Sequence, residues 1–232
     1  MIKAKLSKSN LTESNVTFLN PYSYLLARKH KNLFLEFDLI YIDGFFLVKT
    51  LKIFGVADVK RKSFDMTSLA LKVFNDAIQS SKSIYFIGTN PAAIELAVNN
   101  IRSHFPELKI IGYRDGYFNG NTDRERALTT ISELYPDIVV CGMGTPLQEK
   151  FLLDLKNYGW HGMGYTCGGF LHQIANKVDY YPKWIDKYNL RWVYRIYDEP
   201  KLFKRYFIDY PIFVLVFVWD YINYKMVKEL ND

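Results

Sequence analysis

SIYFIGT, residues 83–89, is a mostly apolar run of five residues closing on a Gly-Thr pair, and its reading decides the fold. It has no apolar–polar alternation, so a strand here is covered on both faces. A helical stretch follows over 91–104, with Pro91 in its first turn. The same unit recurs downstream. LKIIGY (108–113) is a strand, 123–134 a helix, DIVVCGMG (137–144) a buried strand, 146–157 a helix, and GMGYTCGG (162–169) a last, glycine-rich strand. Upstream, VTFLN (16–20) and LIYIDG (39–44) read as strands, with helices over 21–36 and 64–80. Unalternated strands separated by helices imply an α/β fold with a parallel sheet and helices on both faces. In such sheets ligands sit beyond the carboxyl ends of the strands. That directs attention to Asp43-Gly44, Gly88-Thr89, Gly112 to Phe118, Gly142 to Glu149 and Gly168-Gly169.

Composition narrows the class. The chain has 232 residues, 49% of them hydrophobic, which excludes a disordered chain and suits one α/β domain with a small appendage. Two cysteines, Cys141 and Cys167, make no disulfide framework and fit a reducing compartment. The start, MIKAKLSKSN, lacks the apolar core of a signal peptide, and no run of about 18 apolar residues exists. A net charge of +6 is too small to argue for nucleic acid. The surplus is uneven. Seven Lys/Arg and three acids fall between 183 and 205, interleaved with Trp184, Trp192, Tyr194, Tyr197 and Phe203. Aromatic and basic residues together favour a membrane–water interface with anionic head groups. The chain therefore divides into an α/β domain, 1–182, and a basic, aromatic helical appendage, 183–232. PIFVLVFVW (211–219) is apolar but about half the length needed to span a bilayer.

Several motifs are candidates for chemistry. Asp43 ends a strand ahead of Gly44, where partial desolvation suits a general base; Asp-Gly is equally a common turn pair. GMGTPLQEK (142–150) joins two glycines, a proline and the polar pair Gln148-Glu149 at a helix start, a generic anion site. GTNPAA (88–93) is a second turn of that kind. Neither matches G-x-G-x-x-G, and no P-loop is present. D-x-D, the usual metal-diphosphate holder of sugar-nucleotide enzymes, is missing. The four histidines lack zinc-ligand spacing. Cys141 reads as a small core residue. Arg195, Lys204 and Arg205 are cations suited to phosphate.

These landmarks, in order, resemble the WecG/TagA/CpsF family of bacterial glycosyltransferases. They are Asn20-Pro21, IDG (42–44), IYFIGTNPAAIELA (84–97), FPELKIIGYRDGYF (105–118), PDIVVCGMGTPLQEKF (136–151), GGF (168–170), YPKW (181–184) and LRWVYRIYDEPKLFKRY (190–206). The likeness covers about residues 16–207. It implies a Rossmann-like domain with a C-terminal membrane-binding appendage. It also implies inverting, metal-independent transfer from a UDP-sugar to a polyprenyl-diphosphate-linked acceptor, for common antigen, teichoic acid, capsule or exopolysaccharide. No cofactor is expected, UDP-sugar being a substrate. Partners expected are the cytoplasmic membrane surface and no nucleic acid, with room for a homo-oligomer; the site of action is the inner face of the cell membrane, held peripherally.

By the same resemblance Asp43 matches the catalytic base. Asn20, Gly88, Thr89, Tyr117, Gly142, Gly144, Gln148 and Glu149 fall to the nucleotide donor, and Arg195 and Arg205 to the diphosphate. Two departures stand out. Phe18 replaces a threonine of some members two positions before Asn20, and GGFLHQ (168–173) replaces a Phe-Asp after the late glycines. N-acetylmannosamine, its uronic acid, glucose and glucuronic acid are the donor sugars the resemblance suggests. The competing readings are a nucleotide-binding α/β oxidoreductase and a non-catalytic membrane-surface adaptor.

Overall fold

A computed structural model describes residues 14–56, 59–178, 180, 184–185, 188 and 190–229. Six strands form one sheet: β1 (Asn15–Leu19), β2 (Leu39–Ile42), β3 (Ser83–Gly88), β4 (Lys109–Arg114), β5 (Ile138–Gly142) and β6 (Met163–Thr166). Their order is β2-β1-β6-β5-β3-β4. The β1–β6, β6–β5, β5–β3 and β3–β4 pairs are parallel. Every residue of β3 and β5 is buried, which is what their unalternated sequences demand.

The helices follow the strands. They are α1 (Pro21–Lys29), α2 (Lys31–Leu35), α3 (Phe45–Ile53), α4 (Leu69–Gln79), α5 (Pro91–His104), α6 (Gly120–Leu134), α7 (Leu147–Asn157), α8 (Phe170–Asn176), α9 (Arg191–Asp198) and α10 (Tyr210–Glu229). On one sheet face Ile84, Phe86, Ile138 and Val140 pack with Phe74 of α4, Val98 of α5 and Phe170 of α8. The alternate residues Ile87, Val139 and Cys141 are buried too, as are Ile131 of α6 and Phe151 and Leu155 of α7. From β3 the chain runs out to β4, and from β5 it runs the other way to β6. The carboxyl ends of β3 and β5 are thus the topological switch point of the sheet, where open α/β folds bind ligands.

Four elements differ from the sequence expectation. The helix expected over 21–36 breaks at His30 into α1 and α2. That expected over 64–80 begins at Leu69, because Asp65 holds a turn: its carboxylate accepts from the Ser63 hydroxyl at 2.6 Å and from the Thr67 amide at 2.9 Å. Helices α3 and α8 were not anticipated.

The chain forms two compact units. The first holds residues up to 18, 30–41 and 62–180, hence nearly all of the sheet. The second holds 19–29, 42–61 and the chain from 181 onward. Within the second unit α10 packs on α1 and α3 through its aromatic face. Phe213 lies edge-on to Tyr24 at 5.2 Å, and Phe217 likewise to Phe54 at 5.3 Å. Asp220 accepts from the Tyr24 hydroxyl at 2.9 Å and pairs with Arg28 at 2.9 Å. The expected domain junction at 182/183 lies outside the described residues.

Candidate functional site

In the first unit the switch point is floored by glycine. Gly88 and Gly142 are register partners across β3 and β5. A Cβ on Gly88 would lie 2.4 Å from the Gly142 carbonyl oxygen, so the close approach admits no side chain. Gly88 also sits at φ +146. The Thr89 amide donates to the Gly142 carbonyl at 3.1 Å, and the Gly116 amide to the Thr89 carbonyl at 2.9 Å. These bonds join three strand-end loops. Gly144 and Gly168 each have positive φ and open space where a Cβ would stand. Tyr117 is 70% exposed in the β4–α6 loop, while its neighbour Phe118 stacks on Phe151 at 5.8 Å.

Gln148 and Glu149, by contrast, are interior. They are 3% and 0% exposed. Glu149 Oε1 accepts from Thr17 Oγ1 at 2.9 Å, from Gln148 Nε2 at 3.0 Å and from Thr145 Oγ1 at 3.2 Å. Thr166 Oγ1 donates to Thr17 Oγ1 at 2.9 Å, extending the chain into β6. Gln148 Oε1 accepts the Gly168 amide at 3.1 Å. Burial raises the Glu149 carboxyl above the ordinary range, against the hydrogen bonds from Gln148, Thr17 and Thr145 that lower it. The Glu149 Oε2 atom is buried without a hydrogen-bond partner.

The second unit gathers the other predicted residues. The Asp43 amide donates to the Leu19 carbonyl at 2.7 Å, fixing the turn at the end of β2. Gly44 follows at φ +87, and a Cβ there would lie 4.0 Å from the Asn20 Cβ. Asn20 and Ser23 cap α1 reciprocally: Asn20 Oδ1 accepts the Ser23 amide at 2.9 Å, and Ser23 Oγ accepts the Asn20 amide at 2.8 Å. Arg61 Nε pairs with Asp43 Oδ1 at 3.3 Å, both side chains about one-third exposed. Arg195 pairs with Glu199 at 3.5 Å, and the Arg205 guanidinium lies 4.3 Å from the centre of the Tyr22 ring.

Tyr206 and Tyr210, with rings 4.9 Å apart, tie these charges together. Burial raises both phenols. Both also feel Asp43, which raises them further, and Arg195 and Arg205, which lower them. Asp43, Arg195 and Arg205 thus all act electrostatically on one pair of half-buried phenols.

Sequence reasoning missed Arg61, whose run KRK (60–62) reads as a solvated basic stretch, and Thr17, Thr145 and Thr166. Thr17 and Thr166 come together only through the parallel pairing of β1 with β6, whereas Thr145 lies four residues before Glu149. Among the described residues no cluster of three His, Cys, Asp or Glu is placed to hold a metal ion. Both cysteines are buried, and burial raises both thiols, Cys141 well above the ordinary range. Neither is an exposed thiolate nucleophile.

A parallel sheet whose switch point is floored by glycines defines an α/β protein suited to a ligand at its strand ends. The model of the glycosyl transferase WecG/TagA/CpsF family matches residues 2–226, and the chain belongs to that family. It is 40% identical over 203 residues to the UDP-Gal:alpha-D-GlcNAc-diphosphoundecaprenol beta-1,4-galactosyltransferase of Shigella boydii, covering 88% of this chain and 85% of that one. It is 26% identical over 194 residues to the N-acetylglucosaminyldiphosphoundecaprenol N-acetyl-beta-D-mannosaminyltransferase of Bacillus subtilis, covering 82% and 73%. The chain is thus a glycosyltransferase, and the oxidoreductase and adaptor readings fall away.

Proposed function

We propose that the chain transfers a sugar from a UDP-sugar to a polyprenyl-diphosphate-linked acceptor, with inversion and without a metal, in the assembly of a bacterial surface polysaccharide. The observation that carries this reading is the 40% identity, over most of both chains, to a transferase named for UDP-Gal and a diphosphoundecaprenol-linked GlcNAc acceptor. Galactose lies outside the donors anticipated from the sequence, and UDP-galactose becomes the first to test.

In this reading Asp43 takes the proton of the acceptor hydroxyl as that oxygen attacks the anomeric carbon from the face opposite UDP. General-base catalysis of this kind contributes roughly 10²–10⁴-fold. Negative charge grows on the departing diphosphate. Backbone N–H groups at the strand ends and the first turn of α7, which has no side-chain cap, suit that charge. The family resemblance assigns Arg195 and Arg205 to the diphosphate. The lack of D-x-D in the sequence supports a diphosphate held by protein cations rather than by a metal.

No helix among the described residues is long and apolar enough to cross a membrane. We place the enzyme on the inner membrane surface, held by the second unit. Support comes from exposed Trp184, Trp192, Phe203, Phe207 and Trp219 alongside the basic run of the appendage.

The test is a UDP-release assay with UDP-galactose and a short-chain polyprenyl-diphosphate GlcNAc acceptor, followed by a panel of other UDP-sugars. Release that depends on acceptor is expected. Asp43→Asn should lower kcat by roughly 10²–10⁴-fold and leave UDP binding intact. Unchanged turnover would remove Asp43 as the base.

A further inference from the structure

The buried carboxylate of Glu149 has no route to a ligand of its own, because the side chain is 0% exposed. What it touches is informative. Its Oε1 atom is acceptor-only, so the carboxamide of Gln148 must turn its Nε2 toward it, at 3.0 Å. The amide oxygen then points the other way and receives the Gly168 N–H at 3.1 Å. A reversed amide would set donor against donor at Gly168 and acceptor against acceptor at Glu149. Thr17 and Thr145 hold the carboxylate in place from β1 and from the β5–α7 loop. The result is a latch from the first turn of α7, next to the loop after β5, to the loop after β6. Both loops carry a glycine, Gly144 and Gly168, in a left-handed conformation facing open space.

We propose that Glu149 is a positioning residue for donor binding: it fixes the Gln148 carboxamide, and through it the Gly168 loop, in the arrangement that receives the UDP moiety. The inference rests on the reading of the strand ends as the UDP-sugar site and assigns Glu149 an indirect part in it. A group kept buried with an unpartnered Oε2 serves the geometry of its neighbours.

The experiment measures donor KM, kcat, UDP dissociation constant and melting temperature for the wild type, Glu149→Gln, Gln148→Ala and the double variant. Glu149→Gln is expected to raise the donor KM and the UDP dissociation constant about tenfold, the scale of one charge-assisted hydrogen bond. The value of kcat should change little, and the melting temperature near neutral pH should not fall. The double variant should be no worse than Gln148→Ala, since Glu149 acts through that side chain. An unchanged KM in Glu149→Gln, additive effects in the double variant, or a KM change that merely tracks lost melting temperature would each overturn the proposal. Should Glu149→Gln not fold, Thr17→Val removes one Oε1 donor at constant volume; a raised KM supports the latch and an unchanged one overturns it. A wild type that neither binds UDP nor releases it from UDP-galactose would sink the donor-site reading and the latch with it. That failure shows in the wild type, whereas failure of the latch alone shows only in the variants.

Discussion

Glu149 shows how a single side chain can be retained against its own stability. Its carboxyl is raised by desolvation, so the folded state binds a proton there more tightly than the unfolded chain does. The sign follows. The contribution of Glu149 to stability is fullest below the unfolded value of about 4.3 and is lost as pH rises through the raised folded value. Glu149→Gln lacks that titration. Relative to the wild type it should therefore gain stability as pH climbs from about 4 toward neutrality, while donor affinity falls. Denaturant unfolding of both proteins across that range checks it; a stability difference that is flat with pH would mean that the carboxyl is not raised. Asp43 is the counterpart in the second unit. It is partly exposed and paired with Arg61, and its position after β2 is fixed by backbone bonding rather than by burial.

At the scale of elements, β3 and β5 start together through one reciprocal latch. Asp137 Oδ2 accepts both the amide and the hydroxyl of Ser83 at 2.7 Å, and the Asp137 amide donates back to Ser83 Oγ at 3.0 Å. The hydroxyl and amide of Ser83 hold the Asp137 carboxyl below its ordinary range. A depressed carboxylate stabilises the fold above its unfolded pKa and loses that effect as pH falls through the folded value. Asp137→Asn should thus cost about 1 kcal/mol near neutrality, a figure kept small because the carboxylate is solvent-exposed. The gap to the wild type should close below about pH 4. Equal unfolding midpoints at neutral pH would show that the latch contributes nothing.

The same strands were the legible part of the fold, because full burial on both faces leaves an unbroken apolar signature in SIYFIG and IVVCG. Helix α3 was not legible. Its FFLVKTLKI buries Leu47, Val48 and Leu51 and leaves Phe45 and Phe46 exposed, so its apolar residues do not mark one side. Among site residues, those in local motifs (Asp43-Gly44, Gly88-Thr89, Gly142 to Glu149) could be singled out from sequence. Thr17 and Thr166 could not, since they join Glu149, directly and through Thr17, only once the chain has folded into the sheet.

At the scale of the whole molecule, the chain builds its second unit from three separated segments, and α10 gives that unit two apolar faces. One face, with Phe213 and Phe217, packs on α1 and α3. The opposite face carries Ile212, Leu215, Trp219, Ile222 and Met226, spaced by three and four residues and exposed, Leu215 at 73% and Trp219 at 61%. Such a stripe runs roughly 20 Å along the helix, at 1.5 Å per residue. A contiguous exposed apolar row of that length marks an interaction surface. Under the peripheral-membrane placement proposed above, this row is the part of α10 that would meet lipid. Leu215→Glu combined with Trp219→Glu should weaken binding to vesicles of anionic phospholipid at least about tenfold, since two large apolar groups no longer enter the interface and two like charges face it. Melting temperature should hold, because neither side chain belongs to the packed face. Turnover with a water-soluble, short-chain acceptor should hold too, while turnover with vesicle-embedded acceptor falls. Vesicle sedimentation at low and high salt separates the contributions: the apolar part persists in salt, and the part from Lys201, Lys204 and their neighbours is screened. Undiminished vesicle binding by the double variant would move the membrane contact away from α10.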